Sequence, residues 1–170
     1  SRQNYTREDY VKLYMDSALA FEPGSRYHYS SWGYFTLGYI MEKVTGKSYS
    51  QLMKDDIFDK IGMTSSGSYF HTQIVKKRAT GYDYSFGGYT SSDFRDQSNT
   101  MGTGDIYSTI EDLFKFHAAI SNNTLLNKEL TTQMLTPTLN KSWWYGYGWF
   151  NKYYKYSDTD SVASNFHLGM

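Results

Sequence analysis

Residues 21–49 read Phe-Glu-Pro-Gly-Ser-Arg-Tyr-His-Tyr-Ser-Ser-Trp-Gly-Tyr-Phe-Thr-Leu-Gly-Tyr-Ile-Met-Glu-Lys-Val-Thr-Gly-Lys-Ser-Tyr. Pro23-Gly24 breaks whatever precedes it, and after Tyr27-His28-Tyr29 a helical stretch begins near Ser31 or Trp32. Phe35, Tyr39, Met41 and Val44 mix periods, but the length of the segment and the stop at Gly46 favour a largely buried helix. Ser31 can serve there as the N-cap. Ser48 with Gln51 three residues on makes a capping box for the next helix, whose apolar face is Leu52, Ile57, Phe58 and Ile61 and whose end is Gly62. Upstream, Thr6 and Asp9 mark another N-cap, with Tyr5 and Tyr10 placed as a staple. Tyr10, Leu13, Tyr14 and Ala18 then space a helix to about Leu19.

Residues 63 to 105 lose the helical period and gain Gly67, Gly81, Gly87, Gly88, Gly102 and Gly104. They read as a long loop region with one short hairpin, and a span of that length inside a domain is a candidate wall of a cleft. Order returns at Ser108, which caps against Glu111 a helix through Leu113, Phe114, His117 and Ile120. Asn127 caps the following one, and Pro137 stops it. Trp143 to Tyr156 is aromatic and β-prone, and Ser161 to Gly169 reads as the next strand. Helices followed by strands are the order of an α+β domain: residues 1–142 mainly helical, 143–170 the start of an antiparallel sheet. Met170 follows a strand-like run directly, leaving an edge that natural domains cover, so the sequence reads as cut, with edge-strand self-association as one consequence.

The composition narrows the function classes. There are 170 residues, 17 Lys+Arg against 17 Asp+Glu, and no cysteine. Balanced charge offers no basic face to a phosphate backbone, so no nucleic-acid partner is expected. Without cysteine there is no disulfide framework, thiolate zinc site or cysteine nucleophile. Aromatic residues make up 19% of the chain, including 18 Tyr. Tyrosine suits half-wet positions, where the ring packs and the hydroxyl meets water or a ligand, so packing and a ligand-binding surface both account for the excess. His28, His71, His117 and His167 lie at none of the spacings that hold a metal, and no metal or cofactor is expected. Gly102-Thr103-Gly104 lacks the third glycine and the lysine of a phosphate loop.

The stretch from Phe21, with its Pro-Gly, Tyr29-Ser-Ser-Trp-Gly-Tyr34, Val44-Thr-Gly and closing Ile61-Gly-Met63, resembles the serine β-lactamase-like family: class C β-lactamases, penicillin-binding DD-peptidases and related esterases. Ser108-Thr109-Ile110-Glu111-Asp112-Leu113 and Tyr147-Gly148-Trp149 are similar to two further segments of that family, and Phe166-His167-Leu168-Gly169 to its His-x-Gly motif. The resemblance implies acyl transfer through a serine acyl-enzyme, on a β-lactam, a D-Ala-D-Ala-type peptide or a small ester, outside the cytoplasm and without metal or cofactor. It implies that Tyr29 is the tyrosine beside the nucleophile, accepting and returning its proton. A phenol near pKa 10 must be brought to about 7 for that role, at about 4 kcal/mol, by neighbouring cations. It places Ser31 at the third position of the family's Tyr-x-Asn motif and His167 toward the substrate carboxylate or hydroxyl. Gly169 lets substrate backbone approach, and the Met170 backbone N–H supplies half of an oxyanion hole.

Two departures matter. No serine in the chain has lysine three residues later; Ser92 with Arg95 comes nearest, and arginine does not serve as a neutral base. The nucleophile is therefore expected upstream of Tyr29, outside these residues, and the chain alone is expected to be inactive. Ser31 stands where the family usually has Asn, and a hydroxyl lacks the amide's two donors and carbonyl, which shifts weight from lactams toward esters and peptides. The competing class is a non-catalytic relative that binds cell-wall glycan or peptide, with the tyrosines of 82 to 89 as its contact surface.

Overall fold

The computed structural model describes residues 5–70, 72–93, 97, 99–137 and 145–169, so His71, Arg95 and Met170 lie outside the described residues. Helix α1 spans Arg7–Lys12, capped by the Thr6 hydroxyl accepting from the Asp9 N–H, and the Tyr5 and Tyr10 rings meet at 6.0 Å as the staple requires. It is shorter than the expected run to Leu19. Past Lys12 the hydrogen bonds turn to the i→i−3 kind, Leu13 to Tyr10 and Tyr14 to Val11, and Leu13 and Met15 find no core to pack on.

Helix α2 covers Ser31–Thr45 and stops at Gly46, in the left-handed region at φ 71°. Its cap is Ser30, not Ser31: the Ser30 hydroxyl accepts the Gly33 N–H at 3.1 Å. Helix α3, Tyr49–Met53, is capped by Ser48 as expected, but Gln51 turns its amide to Asp55 instead of closing the box. The helical path then continues as a π-helical turn over Lys54–Phe58 and a 3₁₀ turn over Asp59–Ile61, ending at Gly62. Extra residues wound into that π turn put Phe58 inside, where it is buried.

Among the described residues between 63 and 107 the glycine-rich region holds four short strands rather than one hairpin. Strand β1, Gly67–Ser68, pairs antiparallel with β4, Ile106–Tyr107, closing the ends of the region together. Strands β2, Tyr82–Ser85, and β3, Gly88–Ser91, form the expected hairpin. Helix α4, Ile110–Ser121, is capped by Thr109 instead of Ser108, because the Ser108 hydroxyl is engaged with that of Ser66 at 2.8 Å. Helix α5, Lys128–Leu135, has the expected Asn127 cap. Strands β5, Phe150–Lys155, and β6, Ser161–Phe166, pair in register from Phe150↔Phe166 to Lys155↔Ser161. Both are shorter than expected: β5 starts only after Gly148, at φ 83°, and His167 to Gly169 lie beyond the end of β6.

The core joins these pieces around α2. Phe35, Val11, Tyr49 and Met101 are buried together, with Tyr10, Tyr14, Tyr39 and Met53 packed around them, and the Tyr10 ring meets Phe35 edge-on at 4.6 Å. Gly38 admits Met101: a β-carbon there would sit 3.1 Å from the methionine methyl. Glu42 ties three helices at once, pairing with Arg7 of α1 and accepting the backbone N–H of Tyr49 in α3. A second anchor is Asp112 at the start of α4, whose carboxylate is almost wholly buried. It accepts from the Ser65 N–H at 2.7 Å, the Ser66 hydroxyl at 2.9 Å and Lys115 at 2.8 Å. The lysine first, then these N–H and O–H donors, hold that carboxyl below the ordinary carboxylate range.

Candidate active site

The first turn of α2 divides its side chains between two surroundings. Ser30, not Ser31, caps the helix, and Ser31 and Tyr34, three residues apart, share one face. Trp32 goes the other way and stacks on Tyr14 at 4.6 Å, while Phe35 enters the core. The face of Ser31 and Tyr34 lines a cavity of about 230 Å³ together with Tyr29, Gly102, Thr103, Tyr145, Gly148 and His167.

Each of the other walls is held by a local device. Gly102, at φ 69°, lies where a β-carbon would meet the Tyr34 carbonyl oxygen at 3.1 Å, so the loop approaches α2 closely. The buried Asp105 keeps it there by accepting the Gly102 N–H at 3.0 Å. Burial pushes the Asp105 carboxyl above its ordinary value, and the Gly102 N–H only partly offsets this. The segment 145–149 is docked on α5 by the Tyr147 N–H to the Met134 carbonyl at 2.8 Å, and on α4 by Trp149 stacked over Phe116 at 6.4 Å. The Tyr145 ring is set between Tyr27, at 5.1 Å, and Phe150, at 4.7 Å. His167 follows β6 and returns toward Tyr29, their rings 6.2 Å apart.

Of the residues singled out from sequence, Tyr29, Ser31 and His167 come together on this cavity; Gly169 is exposed and does not line it, and Met170 is outside the described residues. His28 and His117 point elsewhere: both are exposed, and neither belongs to the lining. Tyr34, Gly102, Thr103, Tyr145 and Gly148 were not singled out. Tyr34 closes the Tyr-Ser-x-x-Gly-Tyr run, Gly148 sits inside Tyr-Gly-Trp, and Gly102 and Thr103 belong to the Gly-Thr-Gly set aside as a phosphate loop, whereas nothing local marks Tyr145. Among the described residues no lysine or arginine lines the cavity, so the cation expected beside Tyr29 is not one of them. Burial first, then the Tyr34 hydroxyl, raise the Tyr145 phenol above its ordinary value, and Tyr27 is shifted the same way by burial. The cavity therefore offers hydroxyls and one imidazole, a lining suited to orienting a polar carbonyl compound. Among the described residues no three His, Cys, Asp or Glu side chains gather as a metal site would require.

The Beta-lactamase family model matches residues 1–169. The chain belongs to the β-lactamase family. Penicillin-binding protein 4* of Bacillus subtilis is 30% identical over 159 residues, which take in 84% of this chain and 35% of that protein. The teichoic acid D-alanine hydrolase of Staphylococcus aureus is 28% identical over 129 residues, 75% of this chain and 32% of that one. The crystal structure of a D-amino acid amidase from Ochrobactrum anthropi, complexed with L-phenylalanine amide, has the same fold, with a TM-score of 0.80 at 24% identity; the match covers all of this chain and 50% of that one. The chain thus spans about a third of the length of these curated relatives. This β-lactamase-family chain has the α+β character of its fold neighbours, with helices and antiparallel strand pairs, and the family's members are serine hydrolases.

Proposed function

We propose that these 170 residues form part of a serine hydrolase that transfers an acyl group through an acyl-enzyme, and that the serine lies on a segment outside them. The convergence of Tyr29, Ser31 and His167 on one cavity carries this reading. The missing Ser-x-x-Lys and the one-third coverage of the relatives support the second half of it. So does the exposed row Leu37, Ile40, Met41 and Val44 on α2, which has the spacing of a face made to be covered. In the reaction Tyr29, as the phenolate favoured by a cation on the segment that carries the serine, takes the proton from the serine hydroxyl as the serine oxygen bonds to the substrate carbonyl carbon. It returns the proton to the leaving amine or alcohol as the acyl bond breaks. Water then bonds to the acyl carbon, giving one proton to the same tyrosine, which passes it to the departing serine oxygen, so that the acid is released and both the serine and the phenolate are restored. The Met170 N–H and the serine's own N–H would hold the oxyanion, with Gly169 admitting the substrate backbone.

Ser31 in place of an amide side chain favours esters and D-amino-acid peptides over β-lactams. The teichoic acid D-alanine hydrolase among the relatives supports ester chemistry at a cell wall, and with it an extracytoplasmic location. Among the described residues no helix is long and apolar enough to cross a membrane. The test is to sequence the coding region upstream of Ser1 and assay the complete protein on p-nitrophenyl esters, D-amino-acid peptides and a chromogenic cephalosporin. A Ser-x-x-Lys on a helix is expected, with ester or peptide turnover, and Tyr29→Phe should lower kcat by about 10²- to 10⁴-fold. Full turnover by Tyr29→Phe would refute the role given to that residue.

A second reading has its own support in the β2–β3 hairpin. Tyr82 and Tyr84 lie two apart on one strand face, Tyr89 opposes Tyr84 across the pair, and all three are exposed. As a non-catalytic relative, the protein would bind cell-wall sugars through these rings. That affinity would fall on changing them to alanine and persist in Tyr29→Phe.

A further inference from the structure

Both nitrogens of the His167 ring already have partners. Nδ1 lies 2.8 Å from the Leu168 carbonyl oxygen and Nε2 lies 3.1 Å from the Tyr145 hydroxyl. A carbonyl only accepts, so Nδ1 must carry the hydrogen of that bond. A neutral imidazole has one N–H, which leaves Nε2 with its lone pair and makes the Tyr145 hydroxyl the donor to it. Having given its hydrogen to His167, the Tyr145 oxygen is the acceptor for the Tyr34 hydroxyl, 3.4 Å away. The whole chain therefore has one direction: Tyr34 to Tyr145, Tyr145 to His167, His167 to the Leu168 carbonyl.

We propose that Tyr145 is a positioning residue for His167, holding the ring's orientation by donating to the Nε2 lone pair that the Nδ1–H tautomer leaves available. The inference rests on the reading of this cavity as an acyl-transfer site, and it changes what His167 does there. With both nitrogens engaged, the imidazole presents no free donor to a substrate. It acts instead by holding the Tyr145 hydroxyl in the cavity lining that Tyr29 shares. The phenol is well placed to be held. Its ring is clamped between Tyr27 and Phe150, and a bridge pairs its backbone with Phe150 at the root of β5. Its burial favours the protonated form that the donor role needs.

The test is a long-range ¹H–¹⁵N correlation spectrum of the full chain, read at a pH where His167 is neutral. The proton is expected on Nδ1, with Nε2 in the lone-pair-bearing shift range. In Tyr145→Phe, which keeps the ring and its stacking but loses the hydroxyl, the Leu168 carbonyl still accepts from Nδ1 and the tautomer stays, but Nε2 loses its donor and its ¹⁵N resonance should move downfield. Tyr34→Phe should leave the Nε2 resonance as it is, because Tyr145 still donates. An Nε2–H tautomer in the unaltered chain overturns the proposal without any variant, and so does an unmoved Nε2 resonance in a folded Tyr145→Phe protein. Neither readout involves turnover. A moved Nε2 resonance in Tyr145→Phe, in a protein that hydrolyses none of the substrates, would leave the positioning role standing and refute the acyl-transfer reading alone.

Discussion

An alanine at position 146 would place its β-carbon 2.4 Å from the Met134 carbonyl oxygen and 3.2 Å from both the Leu135 carbonyl carbon and the Thr136 carbonyl oxygen. Carbon–oxygen contacts settle at about 3.3 Å or more, so segment 145–149 and the end of α5 must part by roughly 0.9 Å. All three obstructing atoms are backbone, and no rotamer change relieves them. The displacement acts directly on the Tyr147 N–H bond to the Met134 carbonyl, now 2.8 Å, and on the Gly146 N–H bond to the Trp149 carbonyl, also 2.8 Å. Overpacking of this kind costs about 1–3 kcal/mol. A backbone hydrogen bond lost with it adds about 1 kcal/mol, giving a total of about 2–4 kcal/mol. In a domain of this size each kcal/mol moves Tm by roughly 2–4 °C, so Gly146→Ala should melt about 5–15 °C below the unaltered chain. Thermal and urea unfolding followed by circular dichroism would measure it. Gly104 is the control, since a β-carbon there meets nothing within 4 Å. Gly104→Ala should stay within about 0.5 kcal/mol. If Gly146→Ala is as stable as Gly104→Ala, the docking of 145–149 on α5 is not what holds Tyr145 in the cavity wall.

Phe35→Ala, at the most deeply buried large side chain, should cost about 3–5 kcal/mol by denaturant unfolding; a loss under 1 kcal/mol would mean that the α1–α2 core is not the stabilising centre. The Asp112 carboxyl is held below its ordinary value in the folded chain, so its contribution is present above pH 4 and is lost as pH falls through the folded value. Asp112→Asn should therefore flatten the acid limb of a plot of Tm against pH. Asp105 has the opposite sign: its folded value is raised, so the ionised form weakens the fold as pH rises past the unfolded value. Asp105→Asn keeps an acceptor for the Gly102 N–H and should raise Tm at pH 7 while leaving it nearly unchanged at pH 3, and a lower Tm at pH 7 would contradict this.

Where the local chemistry was unambiguous, the residues announced their structure. Thr6, Ser48 and Asn127 cap the helices they were expected to cap, and Gly46 and Gly62 stop theirs at positive φ. The misplacements come where two equivalent groups competed for one role and a distant partner decided. Ser108 and Thr109 are both capable caps, and Ser66, far away in sequence, claims the first. Ser30 and Ser31 are likewise interchangeable locally. The π turn at Lys54–Phe58 has no local signature, because it answers the demand to bury Phe58 rather than any preference of Asp55 or Asp56. In the site, Tyr29, Ser31 and His167 were legible only through the motifs around them. Tyr145 was not, since one tyrosine among 18 is distinguished by its contacts alone.

The cavity draws its walls from four stretches of chain, and the Tyr34–Tyr145 hydroxyl contact joins residues 111 apart in sequence. Closing a loop of that length precedes any reward from the contact, whereas α2 and the β2–β3 hairpin need only neighbours. The site is consequently a late product of folding. Helices and hairpins can be in place while the pocket does not yet exist, and any partly folded form of this chain has secondary structure without a binding cavity.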